Sequence, residues 1–457
     1  MVDLNIINGK VFLGDGLYEV GLSINNGKIV TIGKNDSLPN AEETLNASDR
    51  IIIPGGIDAH THILDLIFSY REDFISGTQA AASGGITTIL EMPLGIEGKS
   101  ALEVFDMQLD VMRRKSLVDF GIIGTAGYTS IDIIPKLAQR GAIGFKTFMI
   151  NPSEEEAELK DLAAKDDYYL IKIFSEIAQT GLVSSVHAEN DAIITNEISC
   201  MMSRGNKDFK AHTASRPSIA EDEACFRAIL LAHHRNVKLN LVHMSSKNAF
   251  EYIRCAKQKG WDVSCEITPH HLFLSAEEGE KIGPWAKVDP PLRSKEHVIA
   301  ALKALNDGTI DIIASDHSPY SDEEKDVLLK DGNFFEVGSG TTGVETILPL
   351  MLDAVNKNIT SLKRLVETTS TNPAKRFGLY PRKGTIAINA DADLVIVNMG
   401  NKYVLKNADL FTKPKITIFD GMSLQGKIDT AIVRGQIVYE NGEFLVESGF
   451  GQLITPK

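Results

Sequence analysis

Hydrophobic and polar residues alternate in short runs at both ends of this 457-residue chain. Residues 22–32 contain two such alternations around an Asn-Gly pair, Asn26-Gly27, an arrangement that is typical of a β-hairpin. The same pattern returns in residues 430–439, close to the carboxyl terminus. We therefore predict one small β-sandwich domain that combines residues 1–53 with residues 380–457.

The middle of the chain has a different pattern, in which apolar strand-like runs alternate with stretches of helical periodicity. Residues 220–233 have helical spacing and precede a strand-like run at 237–243, and residues 295–305 precede another at 310–314. Strands and helices that alternate at this spacing form βαβ units and a parallel sheet. We predict an α/β fold in which residues 54–379 form a (β/α)8 TIM-like barrel. The chemistry of such a barrel takes place at the carboxyl ends of its strands.

The composition is that of an ordinary globular protein, with 43% hydrophobic and 24% charged residues. No apolar run is long enough to span a bilayer, and residues 1–5 have neither the basic region nor the apolar core of a signal peptide. We therefore expect a cytoplasmic protein. The formal net charge of −14 argues against nucleic acid or an anionic membrane as a partner, because phosphate binding requires clustered Lys and Arg.

Several of the predicted barrel strands end in a histidine, a lysine or an aspartate. After the apolar run 51–57 the chain continues Asp58-Ala59-His60-Thr61-His62, in which two imidazoles at alternate positions of an extended chain share one side. Four more groups follow later strand-like runs: Lys146, His187, His243 and Asp316. Because the carboxyl ends of barrel strands meet at one face, we expect all six side chains to lie close together.

These six residue types point to a metal site. A single histidine at the end of a strand is more often a hydrogen-bonded core or loop residue than a metal ligand. Neutral imidazole and carboxylate, however, are the ligands of catalytic zinc sites that keep one position open for water. The coincidence of five such groups with one lysine favours a metal-dependent enzyme. The alternative for Lys146 is a lysine that extends its charged end to solvent at the end of a strand.

With these residues in place, the chain resembles the cyclic amidohydrolases of the amidohydrolase superfamily. This group includes hydantoinases, allantoinases, dihydropyrimidinases and dihydroorotases. The resemblance covers essentially the whole chain, and its motifs are highly specific in combination. They are residues 54–62 (Pro-Gly-Gly-Ile-Asp-Ala-His-Thr-His), 84–88 (Gly-Gly-Ile-Thr-Thr), 144–146 (Gly-Phe-Lys), 186–190 (Val-His-Ala-Glu-Asn) and 315–319 (Ser-Asp-His-Ser-Pro).

The resemblance implies a centre of two Zn²⁺ ions per subunit, with Mn²⁺ or Co²⁺ as possible replacements. It assigns the ligands as follows: His60, His62 and Asp316 to one ion, His187 and His243 to the other, and Lys146 to both, as a bridging N6-carboxylysine. An unmodified ammonium cannot act as a ligand, so a lysine in this role must carry a carbamate.

The mechanism implied by the resemblance is hydrolysis of a ring amide. By this resemblance, two zinc ions would acidify a shared water, and one of them would polarise the ring carbonyl. Asp316 is expected to take the proton of the attacking group and deliver it to the departing ring nitrogen. A cyclic ureide would yield a linear carbamoyl compound.

A few positions favour one branch of the family over the others. Dihydropyrimidinases and D-type hydantoinases have a tyrosine five residues after the carboxylated lysine, whereas this chain has Asn151. Dihydroorotases have an arginine shortly after the His-x-His motif, whereas residues 63–66 are Ile-Leu-Asp-Leu. The strongest local likeness, in residues 282–288 and 373–381, is to L-type hydantoinases. Allantoinases share much of it, including residues 91–94. We predict hydrolysis of hydantoin or a 5-substituted hydantoin, with allantoin as the alternative substrate.

The substrate of this small-molecule enzyme is expected to contact residues around the barrel mouth. Apolar side chains there suit a hydantoin with an apolar 5-substituent, whereas the ureido arm of allantoin requires hydrogen bonds when it is buried. For His270, a hydrogen bond within its loop is the alternative to a substrate contact. The predicted substrate-binding residues are Leu64, Phe148, Asn151, His270, Pro290 and Gly340.

Two further expectations concern the surface of the protein. The charged segments 154–165 and 321–330 are predicted to be solvated loops or helix faces near the mouth, with a lid as the alternative. The resemblance implies a homodimer or homotetramer, and the apolar residues between 444 and 454 are expected to pack on a neighbouring subunit.

Overall fold

A computed structural model describes residues 1–152, 157–327 and 332–456 of the chain. The amino-terminal part forms short strands, as the alternating pattern predicts. These strands are β1 (Val2–Ile7), β2 (Lys10–Leu13), β3 (Gly16–Glu19), β4 (Gly21–Asn25), β5 (Lys28–Gly33), β6 (Ala41–Asn46) and β7 (Ile51–Pro54). Four of them form one sheet in the order β5-β4-β1-β6.

The middle of the chain forms an eight-stranded parallel sheet in which neighbours in sequence are also neighbours in space. Its strands are β8 (Gly56–Thr61), β9 (Ile86–Glu91), β10 (Asp119–Thr125), β11 (Gly144–Phe148), β12 (Val183–His187), β13 (Lys238–Leu241), β14 (Val263–Ile267) and β15 (Ile312–Ile313). Most of their residues are buried, as is typical of parallel strands that are covered on both faces. The main-chain N–H of His62 donates to His317 O at 2.7 Å, which joins the two ends of the sheet. The predicted TIM-like barrel is therefore confirmed.

Helices lie between and after these strands. They are α1 (Asp65–Phe68), α2 (Phe74–Ser83), α3 (Ala101–Lys115), α4 (Ile134–Arg140), α5 (Asp167–Thr180), α6 (Asp191–Ser203), α7 (Phe209–Ser215), α8 (Ser218–Arg235), α9 (Lys247–Gln258), α10 (Pro269–Phe273), α11 (Ala276–Ile282), α12 (Lys295–Asn306), α13 (Asp322–Val327), α14 (Ile347–Asn356), α15 (Leu362–Val366) and α16 (Asn372–Arg376). Polar caps define where several of them begin. Asp73 accepts hydrogen bonds from the first turn of α2, and Ser100 and Glu103 form a reciprocal capping box on α3.

The carboxyl-terminal strands complete the small domain. They are β16 (Leu394–Val404), β17 (Ser423–Val433), β18 (Gln436–Glu440) and β19 (Glu443–Phe444). With three amino-terminal strands they form a sheet in the order β19-β18-β17-β16-β7-β2-β3. Leu4 and Ile24 of the four-stranded sheet share one apolar core with Ile52 and Ile396 of this second sheet. The predicted sandwich built from both termini is therefore confirmed, and we keep residues 54–379 as the proposed extent of the barrel domain.

A buried charge network connects the small domain to the barrel. The fully buried Lys383 lies between Asp119, at the start of β10, and Asp393, just before β16. Its Nζ lies 2.7 Å from Asp119 Oδ2. Arg434 also pairs with Asp119, so this carboxylate is neutralised from both sides. The cations compensate the cost of burying the carboxylates at this junction.

The tail of the chain packs against its own barrel. Ile454 N donates to Phe120 O at 2.8 Å, and Phe120 N donates to Gln452 O at 3.0 Å. Ile454 is fully buried, and Phe444 and Phe450 pack against the main apolar core. Most of the apolar residues of this segment therefore pack on the chain's own barrel beside the start of β10, whereas Leu445 is exposed. Contact of the segment with a neighbouring subunit stays a prediction.

Of the two charged segments, residues 154–156 and 328–330 lie outside the described residues. The described part of the second segment includes α13, which begins two residues after Tyr320. No helix in the described ranges is both long enough and apolar enough to cross a membrane.

Candidate active site

The six side chains that the sequence singles out converge at the carboxyl ends of the barrel strands. The Nε2 atom of His60 lies 3.1 Å from Lys146 Nζ and 3.1 Å from His62 Nε2. The same atom lies 3.2 Å from Asp316 Oδ1. On the other side of the cluster, His187 Nδ1 lies 3.1 Å from His243 Nε2.

The two halves of the cluster belong to one centre. One ligand atom each of His60, His243 and Asp316 lies within 4.8 Å of the other two. His243 follows the end of β13 and Asp316 follows β15, and both have positive φ angles, of 40° and 51°. Non-glycine residues rarely adopt this conformation, and where they do, a functional site is often responsible.

Buried acceptors hold three of the imidazoles from behind. Glu266 Oε1 lies 2.7 Å from His60 Nδ1, and Glu189 Oε2 lies 2.9 Å from His187 Nε2. The main-chain oxygen of Met92 lies 3.1 Å from His62 Nδ1. In each ring the other nitrogen faces the cluster. This is the arrangement that fixes the tautomer and orientation of metal-binding histidines.

These supporting residues were not predicted from the sequence. Glu266 is an ionisable residue inside the apolar strand β14, which was a usable signal. Glu189 lies within the Val-His-Ala-Glu-Asn motif but was given no role, and Arg216, which pairs with Glu189, left no signal in the sequence pattern. Glu266 also accepts a hydrogen bond from Asn240 Nδ2 at 3.0 Å, so both of its oxygens are occupied.

Burial makes these groups suitable for a cation. It lowers the pKa of His60 and holds the pKa of His243 well below its ordinary range, so both rings are neutral at neutral pH. Burial also lowers the pKa of Lys146 to about 8, although the carboxylates of Asp316 and Glu266 oppose this change. Neutral imidazole nitrogens and a carboxylate fit a divalent cation such as zinc.

A second group of carboxylates, Asp119, Asp391 and Asp393, also lies within 4.8 Å. Lys383 pairs with each of the three, the longest contact being 3.7 Å to Asp391. This cluster is therefore an internal ion-pair network. Of the two groups, only the one at the strand ends presents neutral nitrogen donors to a cation.

A cavity of about 780 Å³ opens over the six side chains. Its walls contain many apolar side chains: Leu64, Phe68, Leu94, Phe148, Ile150, Ile194, Ile198, Phe335 and Val337. Polar groups also reach it, among them Arg71, Arg216, Lys287 and Asp289. Arg216 Nε lies 3.0 Å from Asp289 Oδ1, so these two charges are paired within the wall. The volume is suitable for a small organic molecule.

Four of the six residues predicted to bind substrate line this cavity: Leu64, Phe148, Asn151 and Gly340. The side chain of Asn151 is held by Asp191 Oδ2 at 3.0 Å. The other two, His270 and Pro290, are buried and are not among the lining residues. Pro290 O lies 3.0 Å from His271 Nε2, and this contact is buried.

Comparison with known proteins is consistent with this geometry. The model of the amidohydrolase family matches residues 51–438. The chain is 37% identical to an L-hydantoinase of Paenarthrobacter aurescens, an alignment that covers 100% of this chain and 98% of the relative. It is 32% identical to a dihydroorotase of Methanosarcina acetivorans (99% and 96% covered) and 34% identical to an allantoinase of Salmonella choleraesuis (98% and 96% covered).

Solved structures agree on the fold. The structure titled as L-hydantoinase (dihydropyrimidinase) from Arthrobacter aurescens superposes with a TM-score of 0.94 at 36% identity and covers 100% of both chains. The architecture is thus shared over the full length with that structure.

Proposed function

This chain belongs to the amidohydrolase family, and we propose that it hydrolyses the ring amide of hydantoins to give N-carbamoyl amino acids. The observation that carries the proposal is the convergence of His60, His62, Lys146, His187, His243 and Asp316 at the base of one cavity whose walls include many apolar side chains. The full-length likeness to an L-hydantoinase supports the choice of ring. Dihydropyrimidine and dihydroorotate are less favoured substrates.

We infer that the centre holds two divalent cations, with zinc as the metal and Mn²⁺ or Co²⁺ as replacements. His60, His62 and Asp316 would hold one ion, and His187 and His243 the other. When bound, zinc lowers the pKa of a water ligand to about 7 and polarises a carbonyl oxygen.

Lys146 would serve as a bridging N6-carboxylysine. Only the neutral amine adds to carbon dioxide, and burial lowers the pKa of Lys146 to about 8. At pH 7 roughly a tenth of such an amine is neutral, compared with about one part in three thousand for an ordinary lysine. The carbamate would place a negative charge where the amine now lies 3.1 Å from His60 Nε2.

Asp316 would carry the proton. It is the carboxylate among the six side chains, and its Oδ1 lies 3.2 Å and 3.5 Å from the Nε2 atoms of His60 and His62. We assign to it removal of one proton from the attacking water and transfer of that proton to the departing ring nitrogen. The hydroxyl goes to the carbonyl carbon as the ring C–N bond breaks, so the product is one water heavier than the substrate.

The apolar walls favour a hydantoin with an apolar 5-substituent. Burying such a group in a pocket is worth roughly 1.5–3 kcal/mol. We therefore expect kcat/KM for 5-benzylhydantoin to exceed that for unsubstituted hydantoin by about 10- to 150-fold. Allantoin is the second candidate, because Lys287 and Asp289 give the cavity polar groups that a ureido arm could use.

The deciding experiment is a panel assay of zinc-loaded enzyme. 5-Benzylhydantoin, hydantoin, allantoin, dihydrouracil and dihydroorotate are each incubated with enzyme, and ring opening is followed by chromatography of the carbamoyl product. We expect fastest turnover of 5-benzylhydantoin. Rapid hydrolysis of allantoin with both hydantoins untouched would refute the proposal. The variant Asp316→Asn is the control for background hydrolysis.

We also propose that the protein is a homodimer or homotetramer in the cytoplasm. Most of the tail between residues 444 and 454 packs on its own barrel, so the exposed Leu445 is the part of the tail that is open to a neighbouring subunit. Light scattering coupled to size-exclusion chromatography measures the assembly, and a monodisperse monomer would overturn the oligomer.

A further inference from the structure

The short helix α13 lies between two walls of the cavity. We call residues 64–71 the first rim and residues 335–340 the second rim. Leu64, Phe68 and Arg71 of the first rim line the cavity, and so does every residue of the second. The two rims are more than 260 positions apart in sequence, so their spacing depends on contacts made through the folded chain.

Glu324 of α13 holds the first rim. Its carboxylate makes a bidentate contact with Arg71, at 2.9 Å from Nε and 2.6 Å from Nη2, and accepts a hydrogen bond from Tyr70 Oη at 2.8 Å. The guanidinium carbon of Arg71 lies 3.8 Å from the ring centre of Phe68 and 4.2 Å from that of Tyr320. A forked ion pair between two rings fixes both the position and the plane of the guanidinium.

The next residue, Lys325, holds the second rim. Its side chain is fully buried, and its Nζ donates to Gly338 O at 2.7 Å, Gly340 O at 2.9 Å and Pro284 O at 3.1 Å. Three carbonyl oxygens match the three N–H donors of an ammonium group. Lys287 Nζ contacts two further carbonyls of the rim, Phe335 O and Val337 O.

The second rim has little freedom to move toward the chain behind it. A side chain at Gly338 would lie 2.2 Å from the ring of Tyr320, and one at Gly340 would lie 2.6 Å from Ser318 O. Gly340 also has a φ of 155°. The rim is therefore pressed against residues 318–320 while Lys325 binds its carbonyl oxygens, so its position is set from both sides.

We propose that Glu324 and Lys325 are positioning residues which, from adjacent places on α13, set the distance between the two rims and so select substrates with a 5-substituent. This inference rests on the proposed function of the cavity. Lys325 is not among the residues that line the cavity, so it acts on substrate through the second rim. A 5-substituent has to fit between the rims, whereas the reacting ring lies over the six side chains at the strand ends.

The test compares Lys325→Met and Glu324→Gln with the unmodified enzyme and with Lys281→Met. Lys281 is an exposed lysine on α11, so it is a matched control for the same substitution. For each zinc-loaded protein, KM and kcat are measured for 5-benzylhydantoin and for hydantoin, and the zinc content is determined.

We expect Lys325→Met to raise KM for 5-benzylhydantoin by about tenfold or more, because a misplaced second rim binds the 5-substituent less tightly. For hydantoin, which has no 5-substituent, kcat/KM should change by less than about threefold. Glu324→Gln should act in the same direction, and Lys281→Met should have no effect. Zinc content should stay constant. Equal losses for the two substrates, or no loss in either rim variant, would overturn the proposal.

A second measurement does not depend on activity. Hydrogen–deuterium exchange should become faster in residues 333–341 of Lys325→Met and in residues 66–72 of Glu324→Gln, while barrel strands keep their protection. Unchanged exchange in both segments would refute the positioning role. Should the unmodified enzyme hydrolyse neither hydantoin, the proposed function fails, and exchange alone decides whether α13 holds the rims.

Discussion

Replacing Glu266 by glutamine tests whether the cluster is a metal centre in which this carboxylate orients the ligand His60. Glu266 is fully buried, and its two oxygens contact His60 Nδ1 at 2.7 Å and Asn240 Nδ2 at 3.0 Å. Glu266→Gln keeps the size and shape of the side chain and removes its negative charge. The His60 ring can then be held only by a neutral hydrogen bond.

The expected loss follows from the two kinds of hydrogen bond. A bond to a charged group contributes about 1.5–3 kcal/mol and a neutral one about 0.5–1.5 kcal/mol. The difference of about 1–2 kcal/mol corresponds to about a 5- to 30-fold lower affinity for the cation at His60. This range overlaps the losses of about 10- to 100-fold typical when partners behind metal ligands are changed.

The assay is competition for zinc between the apoprotein and a chromophoric chelator, followed by kcat/KM for 5-benzylhydantoin on the reloaded protein. Glu189→Gln makes the same change behind His187, so it should weaken the other cation by a similar factor. The exposed Glu43 provides a control, and Glu43→Gln should leave both affinities unchanged. Unmodified zinc affinity and kcat/KM in Glu266→Gln would refute the view that this carboxylate supports a metal ligand.

Three further predictions test other parts of the molecule. Lys146→Ala should reduce zinc from two to at most one ion per subunit and abolish ring opening, and unchanged stoichiometry by elemental analysis would contradict the bridging carbamate. Burial raises the pKa of Glu345 from 4.5 to about 7. Its proton therefore stabilises the fold fully below pH 4.5, and this contribution of about 3 kcal/mol is lost as the pH rises to 7. Thermal unfolding is measured at pH 4.5 and pH 8. Between these pH values the free energy of unfolding of Glu345→Gln should rise by up to that amount relative to the unmodified protein, and a difference that does not change with pH would contradict the prediction. Lys383→Met leaves buried carboxylates such as Asp119 with less compensation and should lower stability by about 3–5 kcal/mol. Calorimetry compares it with Lys402→Met, a change at an exposed lysine, and equal melting temperatures would refute the role of the network.

The elements of the barrel were predictable because periodicity reports burial directly. The helical pattern at 220–233 corresponds to α8, Ser218–Arg235, and the pattern at 295–305 to α12, Lys295–Asn306. The strands were shorter than their apolar runs. β15 covers only Ile312–Ile313 of the run 310–314. The main-chain N–H groups of the flanking Asp311 and Ala314 still donate to β14, at 2.9 Å to Cys265 O and 3.1 Å to Ile267 O.

The candidate site was predictable as far as it lies on strand ends. Parallel strands of a barrel present their carboxyl ends at one face, so residues far apart in sequence meet without any further information. Glu266 contacts a histidine that lies 206 positions earlier, and Arg216 reaches Glu189 from another segment. Such partners depend on which side chains happen to face each other in the folded barrel, and periodicity does not contain this information.

The separation between residues at the strand ends and residues of the rims is consistent with relatives that share one architecture but have different names. The six clustered side chains follow the strands of the sheet, whose register leaves them little freedom, and in the proposed function they act on the bond that is broken. The rims lie on segments between strands, where changes in length and sequence are tolerated. Full-length relatives at 32–37% identity are named for hydantoin, dihydroorotate and allantoin. Under the role proposed for Glu324 and Lys325, a change of substrate between such relatives requires altered rims and altered contacts to them, while the six side chains at the strand ends stay in place.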